Sequence, residues 1–163
     1  MRMSLMGLDA GAEPGASKGD RGMRIYIASS WRNQHAVEML SDLLEARGHE
    51  VISFVRKAVN AEGRTDIKFD FDQWIVSEDG AEKFHYDLDG ATNSDLVIYI
   101  GPSGQDAWAE IGAAWTKRQL RGYPMIVGLW AKGENVGLMR RMMDWFMDYR
   151  ELLAFIDRLN AGG

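Results

Sequence analysis

The chain has 163 residues, of which 46% are hydrophobic, and carries a formal net charge of -5. This length and apolar content predict one globular domain, while the negative charge and the lack of a basic stripe argue against binding to polymeric nucleic acid. The chain contains no cysteine, which excludes disulfides, thiolate catalysis and cysteine-ligated zinc.

The N-terminal segment, residues 1–22, is rich in glycine, alanine and charge and has no apolar period, which predicts a disordered tail before a single domain spanning residues 23–163. Its longest apolar run is too short for a signal peptide, and no stretch approaches the roughly 18 apolar residues of a membrane span. We therefore expect a cytoplasmic protein with no membrane partner. The three histidines, His35, His49 and His85, lack metal-ligand spacing, so we expect no metal site.

The domain begins with a predicted strand, helix and strand. Residues 24–28 are β-branched and aromatic, residues 36–44 keep a helical period that Gly48 ends, and residues 51–54 form the next apolar run. Such a unit predicts a parallel sheet, in which ligands bind outside the carboxyl ends of the strands.

The remaining elements extend this pattern. Residues 56–79 have no clear period and form either a lid or a packed wall. Residues 96–100 and 124–130 are short apolar runs typical of buried strands, and residues 138–159 predict a helix whose methionines belong to the core or to a dimer contact. Together these elements predict a doubly wound parallel α/β sheet of about four to five strands, flavodoxin-like or Rossmann-like, with helices on both faces.

Two acids flank the predicted strand at residues 96–100. A helix starting near Asp106 would carry Glu110 about one turn from its N-terminus, where the partial positive charge of the helix favours an ionised carboxylate that can act as a nucleophile. Upstream, a second helical stripe places Asp87 at its border. The alternative is that both acids are ordinary solvated or ion-paired residues. The expected buried stripes consist of Ala107, Ile111, Ala114 and Trp115 in the first helix, and of Phe84, Leu88 and Ala91 in the second.

Four segments, IYIASSW, DLDGATNSDLVIYI, AEIGAA and GENVGLMRRM, occur in this order, and the chain resembles the nucleoside 2-deoxyribosyltransferase family and its nucleotide N-hydrolase relatives. The resemblance implies that Glu110 is the nucleophile, that Asp87 is the active-site aspartate and that Tyr26 lies beside the nucleophile. It matches Asp106 to an acid that transferases carry shortly before the nucleophile, and Asn135 to an asparagine lent to a neighbouring subunit.

The resemblance further implies a homo-oligomer that acts on a small nucleoside or nucleotide, forms a covalent glycosyl-enzyme and needs neither metal nor organic cofactor. Breaking an N-glycosidic bond requires an anion beneath C1′ and an acid that protonates the leaving base. The candidate substrate-binding residues lie in the loops after the first and third strands, in the next helix and near the C-terminal segment: Ser29, Ser30, Trp31, Arg32, Gly101, Ser103, Trp108 and Asn135.

Two further interpretations remain open. Ser30 and Arg32 resemble the phosphate-contacting turn of the N-hydrolases, which predicts hydrolysis of nucleoside 5′-monophosphates, unless Arg32 lies in solvent or pairs with Glu38. A non-catalytic nucleotide-binding or sensing module, with Trp31 and Trp108 stacking on a base, is the other alternative.

Overall fold

The computed structural model describes residues 22–60, 71–134 and 137–162, and the backbone alone at residues 58–60 and 71. In this part of the chain five parallel strands form one sheet in the order β2-β1-β3-β4-β5. The strands are β1 Arg24–Ala28, β2 Glu50–Ser53, β3 Leu96–Ile100, β4 Met125–Leu129 and β5 Asp144–Phe146. Of the predicted tail, residues 1–22, the first 21 residues lie outside the described residues.

Helices connect the strands, and two short 3-10 turns lie at Trp31–Asn33 and Leu138–Met142. None of the helices in the described ranges is long and apolar enough to cross a membrane. The helices are α1 Gln34–Glu45, α2 Phe54–Asn60, α3 Phe71–Ile75, α4 Glu78–Asn93, α5 Gln105–Arg121 and α6 Tyr149–Ala161.

Alternate strand positions supply two separate core layers, because successive side chains point to opposite faces of a sheet. Ile25 and Ile27 of β1 pack in one layer with α1 and α6. Tyr26 and Ala28 pack in the other with α4 and α5. The predicted doubly wound parallel sheet is therefore confirmed.

The strand order places a topological switch point between β1 and β3. These strands are paired in parallel, with Tyr26 beside Val97 and Ala28 beside Tyr99. The chain leaves β1 toward α1 on one face and leaves β3 toward α5 on the other. Loops that diverge in this way open a crevice at the carboxyl ends of the strands, which is where open α/β sheets bind ligands.

The single helix predicted for residues 138–159 is wrong. A 3-10 turn, the strand β5 and the helix α6 occupy this stretch, and β5 pairs with β4 through Val127 and Asp144. The pairing is possible because Gly128 has no side chain, and a Cβ there would lie 2.8 Å from both the Met143 sulfur and the Trp145 ring. Tertiary pairing thus overrides the helical period of the sequence.

The stripe predicted for α4 needs a similar correction. Phe84 is 58% exposed, whereas Ala91 and the neighbouring Gly90 are buried. A Cβ at Gly90 would lie 2.4 Å from the Tyr26 ring, so the absence of a side chain lets α4 approach the sheet closely. Trp115 of α5, also predicted as buried, is 39% exposed.

The region predicted as a lid or wall, residues 56–79, is helical where the structure describes it, apart from a turn at residues 76 and 77. It contains most of α2, all of α3 and the first residues of α4, whose N-terminus is capped by Ser77 accepting a hydrogen bond from the Gly80 amide at 3.2 Å. Phe54, predicted as the end of the second strand, begins α2 instead. Residues 61–70 lie outside the described residues, so the lid stays a prediction.

Candidate active site

Glu110 is a buried acid on the face of α5 that packs against the sheet. Only 9% of the residue is exposed, since its neighbours Ala107 and Ile111 anchor that face in the core. Burial is the main cause that raises the pKa of Glu110 to about 8, and the negative charge of Asp87 adds to it. The proton is therefore retained at neutral pH. This corrects the expectation that the helix N-terminus, worth at most about 1 kcal/mol in most settings, keeps Glu110 ionised.

Asp87 approaches Glu110 from α4 and is itself largely buried, with 18% of its side chain exposed. Lys83, one helical turn earlier, forms an ion pair with its Oδ2 atom. Its Oδ1 atom is buried and accepts no hydrogen bond from any residue in the described ranges. Burial raises the pKa of Asp87, and Lys83 offsets part of this increase.

Tyr26 lies beneath both acids on β1 and is almost fully buried. Burial and the charges of Glu110 and Asp87 raise the pKa of Tyr26 far above its ordinary value, so its hydroxyl stays protonated. The same hydroxyl lowers the pKa of both carboxyl groups, although it does not cancel the effect of burial. The structure thus brings together Tyr26, Glu110 and Asp87, as the sequence predicts.

The two carboxyl groups behave as a coupled pair. The negative charge of Asp87 opposes ionisation of Glu110, and two acids that interact in this way titrate as a pair. Asp106, in the first turn of α5, also raises the pKa of Glu110 through its charge, which places it in the same electrostatic field. The arrangement places a protonated Glu110 and Asp87 beside one tyrosine.

Two loops at the carboxyl ends of β1 and β3 are hydrogen-bonded to each other. Ser29 Oγ donates to the Ile100 carbonyl at 2.8 Å. Asn33 Nδ2 donates to Ser29 Oγ at 3.0 Å, to the Ile100 carbonyl at 3.2 Å and to the Pro102 carbonyl at 2.9 Å. Ser29 therefore joins the two loops together, and Asn33, which the sequence analysis did not single out, completes the link.

The other predicted loop residues have varied surroundings. Ser30 Oγ is buried without a hydrogen-bond partner among the described residues, while Arg32 is exposed. Trp31 is half exposed, and its ring contacts Phe54 edge-on at 4.7 Å between centroids. Asn135 lies outside the described residues.

A second buried polar group lies on β3, which the sequence analysis missed. The Tyr99 hydroxyl donates to Glu134 Oε1 at 2.7 Å and accepts a hydrogen bond from the Ser103 amide at 3.1 Å. The Trp108 ring packs on Tyr99 at 4.8 Å between centroids. Burial, followed by the Glu134 hydrogen bond, raises the pKa of Tyr99 well above its ordinary value. Glu134 also contacts Gly101, so three predicted positions, Gly101, Ser103 and Trp108, surround this pair.

A comparison with solved structures agrees with this fold. No protein-family model and no curated protein matches the chain. A solved structure described as a 2-deoxyribosyltransferase from the psychrotolerant bacterium Bacillus psychrosaccharolyticus is similar, with a TM-score of 0.56 and 20% identity. The alignment covers 81% of this chain and 94% of that one. At this identity the similarity shows a shared fold.

Proposed function

We propose that this protein is an enzyme that cleaves or transfers the base of (deoxy)nucleosides, with Glu110 as the nucleophile. The observation that carries the proposal is the placement of a buried Glu110 and a largely buried Asp87 beside one tyrosine at the switch point of the sheet. Strongly perturbed acids in a ligand crevice are typical of catalytic sites. The fold shared with a 2-deoxyribosyltransferase supports the same conclusion.

The first step forms a bond between a Glu110 carboxylate oxygen and C1′ of the sugar. The C1′–N bond breaks, and its electron pair leaves with the base. Positive charge develops on the sugar in the transition state, so an anion placed beneath C1′ lowers the barrier. A water-poor site strengthens this attraction.

The proton that Glu110 holds in the free protein is the one that the leaving base requires. We propose that it passes to Asp87 when substrate binds, with the Tyr26 hydroxyl, which is close to both acids, as the relay. Asp87 then protonates the departing nitrogen while Glu110 attacks as the anion. Lys83 stabilises Asp87 once the proton has gone.

The glycosyl-enzyme is resolved by a second nucleophile. The nitrogen of an incoming base attacks C1′, releases the Glu110 carboxylate and returns its proton to Asp87, which completes a transfer. Water in place of the base gives hydrolysis by the same proton route.

Replacement of Glu110 tests the proposal directly. The purified protein is incubated with 2′-deoxynucleosides, with and without a second free base, and product bases are separated by chromatography. Glu110→Ala is expected to lower the rate by a factor of about 100 or more, because both steps need the carboxylate. Glu151→Gln, an exposed acid on α6, serves as the control. Equal rates in the wild type and Glu110→Ala reject the nucleophile assignment, and binding without any turnover favours the sensing module.

Hydrolysis of nucleoside 5′-monophosphates is the second candidate, and the Ser30 loop favours it. Ser30 Oγ is buried without a partner in the described part of the chain, and the exposed Arg32 guanidinium lies two residues further on. A hydroxyl and a planar cation at the carboxyl end of β1 suit a phosphate. The monophosphate is then expected to be the better substrate, and Arg32→Ala to remove that advantage while Arg158→Ala, on α6, does not. No preference in the wild type rejects this candidate.

A further inference from the structure

The Tyr99–Glu134 pair is a polar group that the proposed chemistry does not use. Tyr99 Oη donates a hydrogen bond to one carboxylate oxygen of Glu134 and accepts one from the Ser103 amide. The remaining Glu134 oxygen, Oε2, and the Ser103 hydroxyl are both buried, and neither has a hydrogen-bond partner among the described residues. Buried polar atoms without partners are rare in folded proteins, because each loses its hydrogen bonds to water and gains none in return. Two of them beside one tyrosine indicate a place where a ligand supplies the missing bonds.

Gly101 makes room for this carboxylate. A Cβ at position 101 would lie only 1.5 Å from Glu134 Oε2 and 2.9 Å from the Tyr99 ring. Any side chain at this position must therefore displace Glu134. Glu134, in the connection between β4 and β5, thus reaches across to the end of β3, where a glycine leaves room for it.

The pair lies on the same face of the sheet as the nucleophile. Tyr26 and Tyr99 belong to adjacent parallel strands, with Tyr99 two residues closer to the carboxyl edge in the register. Strand spacing and rise put such positions about 8 Å apart. Trp108, which packs on Tyr99, precedes Glu110 by two residues on α5. A ligand of nucleoside size that reaches Glu110 can also reach Glu134.

We propose that Glu134 and Ser103 form a subsite of the crevice that binds a neutral hydrogen-bond donor of the substrate, an O–H or N–H group. A carboxylate oxygen accepts such bonds and repels anions, and the Ser103 hydroxyl either donates or accepts. On a nucleoside the donor is a sugar hydroxyl or an exocyclic amino group. The subsite rests on the proposed function for the identity of its ligand.

Calorimetric binding to three variants tests the subsite. Glu134→Gln removes the charge, and Gly101→Ala expels the same carboxylate without altering it. Gly104→Ala is the matched control in the same loop, because a Cβ there meets nothing within 4 Å. Hydrogen bonds to a charged group are worth about 10-fold or more in affinity, so the first two variants are expected to bind 2′-deoxyadenosine at least 10-fold more weakly, and the control to bind normally.

Substrate analogues identify the donor. The wild type and Glu134→Gln are titrated with 2′-deoxyinosine, 2′,3′-dideoxyadenosine and 2′,5′-dideoxyadenosine, which lack the amino group, the 3′-hydroxyl and the 5′-hydroxyl respectively. One analogue is expected to bind the wild type weakly and to lose no further affinity in Glu134→Gln, because the interaction is already absent. Unchanged binding of 2′-deoxyadenosine by Glu134→Gln overturns the proposal. The proposal is also overturned if Glu134→Gln weakens the binding of all three analogues as much as it weakens the binding of 2′-deoxyadenosine.

The outcome for the subsite is separable from that for the enzyme. Binding does not require turnover, so the expected affinity pattern without base release supports the subsite and rejects the glycosidic reaction. Base release that Glu134→Gln leaves unchanged in KM and kcat rejects the subsite alone. If none of the four nucleosides binds the wild type, both proposals fail. Thermal unfolding of Gly101→Ala checks its folding, and Glu134→Gln decides the result if that variant is unfolded.

Discussion

At the scale of single residues, the buried carboxyl of Glu110, our proposed nucleophile, has a cost in stability. Its pKa rises from 4.5 to about 8 on folding, so the folded chain binds more protons than the unfolded chain between these pH values. The free energy of unfolding therefore falls as the pH rises through this window. The contribution of the protonated carboxyl to the free energy of unfolding is complete below pH 4.5. It is lost as the pH rises through about 8, where the carboxyl ionises in the core.

A neutral replacement should remove this dependence. Glu110→Gln is expected to match the wild type near pH 4.5 and to exceed it above pH 8, by on the order of 1 kcal/mol for each unit of pKa shift. Urea unfolding at several pH values measures the difference. The exposed control Glu151→Gln should show the wild-type slope. Equal stabilities of Glu110→Gln and the wild type at pH 9 would contradict the burial of an ionisable group here.

Lys83 should set the pH range of activity. If the coupled pair must hold one proton, kcat/KM falls when that proton is lost, at a pH of about 8. Lys83 favours ionisation through its ion pair with Asp87, so Lys83→Met raises the pKa of the pair and moves the alkaline limb upward by about one unit. Lys117→Met, a lysine of α5 that hydrogen-bonds Asn93, should leave the limb in place. A profile of kcat/KM against pH that is identical in both variants would show that Lys83 is structural only.

The site residues differ in how visible they are in the sequence. Glu110, Asp87 and Tyr26 follow from helical spacing and motif resemblance, and Lys83 lies four residues before Asp87, a spacing that predicts contact on a helix. The burial that makes Glu110 a weak acid is not visible, because a local pattern shows only that it borders an apolar stripe. Glu134 lies in the segment GENVGLMRRM, but its contact with β3 is not visible there, since that contact depends on a glycine 33 residues earlier in the chain.

At the scale of elements, the contact of α4 with β1 positions Asp87. Gly90 allows this contact, and a Cβ there would lie 2.4 Å and 2.7 Å from two atoms of the Tyr26 ring. Gly90→Ala is therefore expected to destabilise the protein by about 1–3 kcal/mol and to lower activity, because it displaces both Tyr26 and Asp87. Thermal unfolding and base-release rates measure these effects.

Gly112 of α5 provides the matched control. A Cβ at this helical glycine meets nothing within 4 Å, so Gly112→Ala should be neutral or raise stability by up to about 1 kcal/mol through helix propensity. If Gly90→Ala behaves like Gly112→Ala, then the close approach of α4 to the sheet is not essential for the site.

The stretch from the 3-10 turn to α6 shows where element prediction fails. Its apolar residues fit a helical period, yet Met143 is buried against Gly128 and the next residues join the sheet edge. A three-residue strand has too little sequence to show an alternating pattern, and its pairing partner lies in a different element. Asp148 does give a local signal, because its side chain accepts the Arg150 amide at 2.8 Å and marks the start of α6.

At the scale of the whole molecule, the β5 edge is the candidate contact for the expected homo-oligomer. Leu138, Met139, Met147 and Tyr149 flank this edge strand and are all exposed. Apolar side chains clustered at a sheet edge favour association between subunits. Light scattering at micromolar concentration is expected to show a dimer or larger assembly, which Leu138→Glu dissociates and Met39→Glu, an exposed methionine of α1, does not. A wild-type monomer would exclude a site shared between subunits.

The overall architecture is largely readable from the sequence. Alternating apolar runs and helical periods predict a parallel sheet, since consecutive parallel strands need a crossover helix. The order β2-β1-β3-β4-β5 is not visible in the same way, because it depends on which runs pair across the sheet. Only that order reveals that the loops after β1 and β3 meet at one crevice.

The Asn33 amide links these two loops, and the link has a consequence for the entropy of binding. One side-chain nitrogen of the segment after β1 donates to the carbonyl of the last residue of β3 and to the Pro102 carbonyl, so folding restrains both sides of the crevice. Each backbone residue that folding has already ordered there spares a ligand the loss of about 1–2 kcal/mol that immobilising it on binding would cost. The hydrogen bonds of Asn33 thus order this part of the crevice during folding, before any ligand arrives.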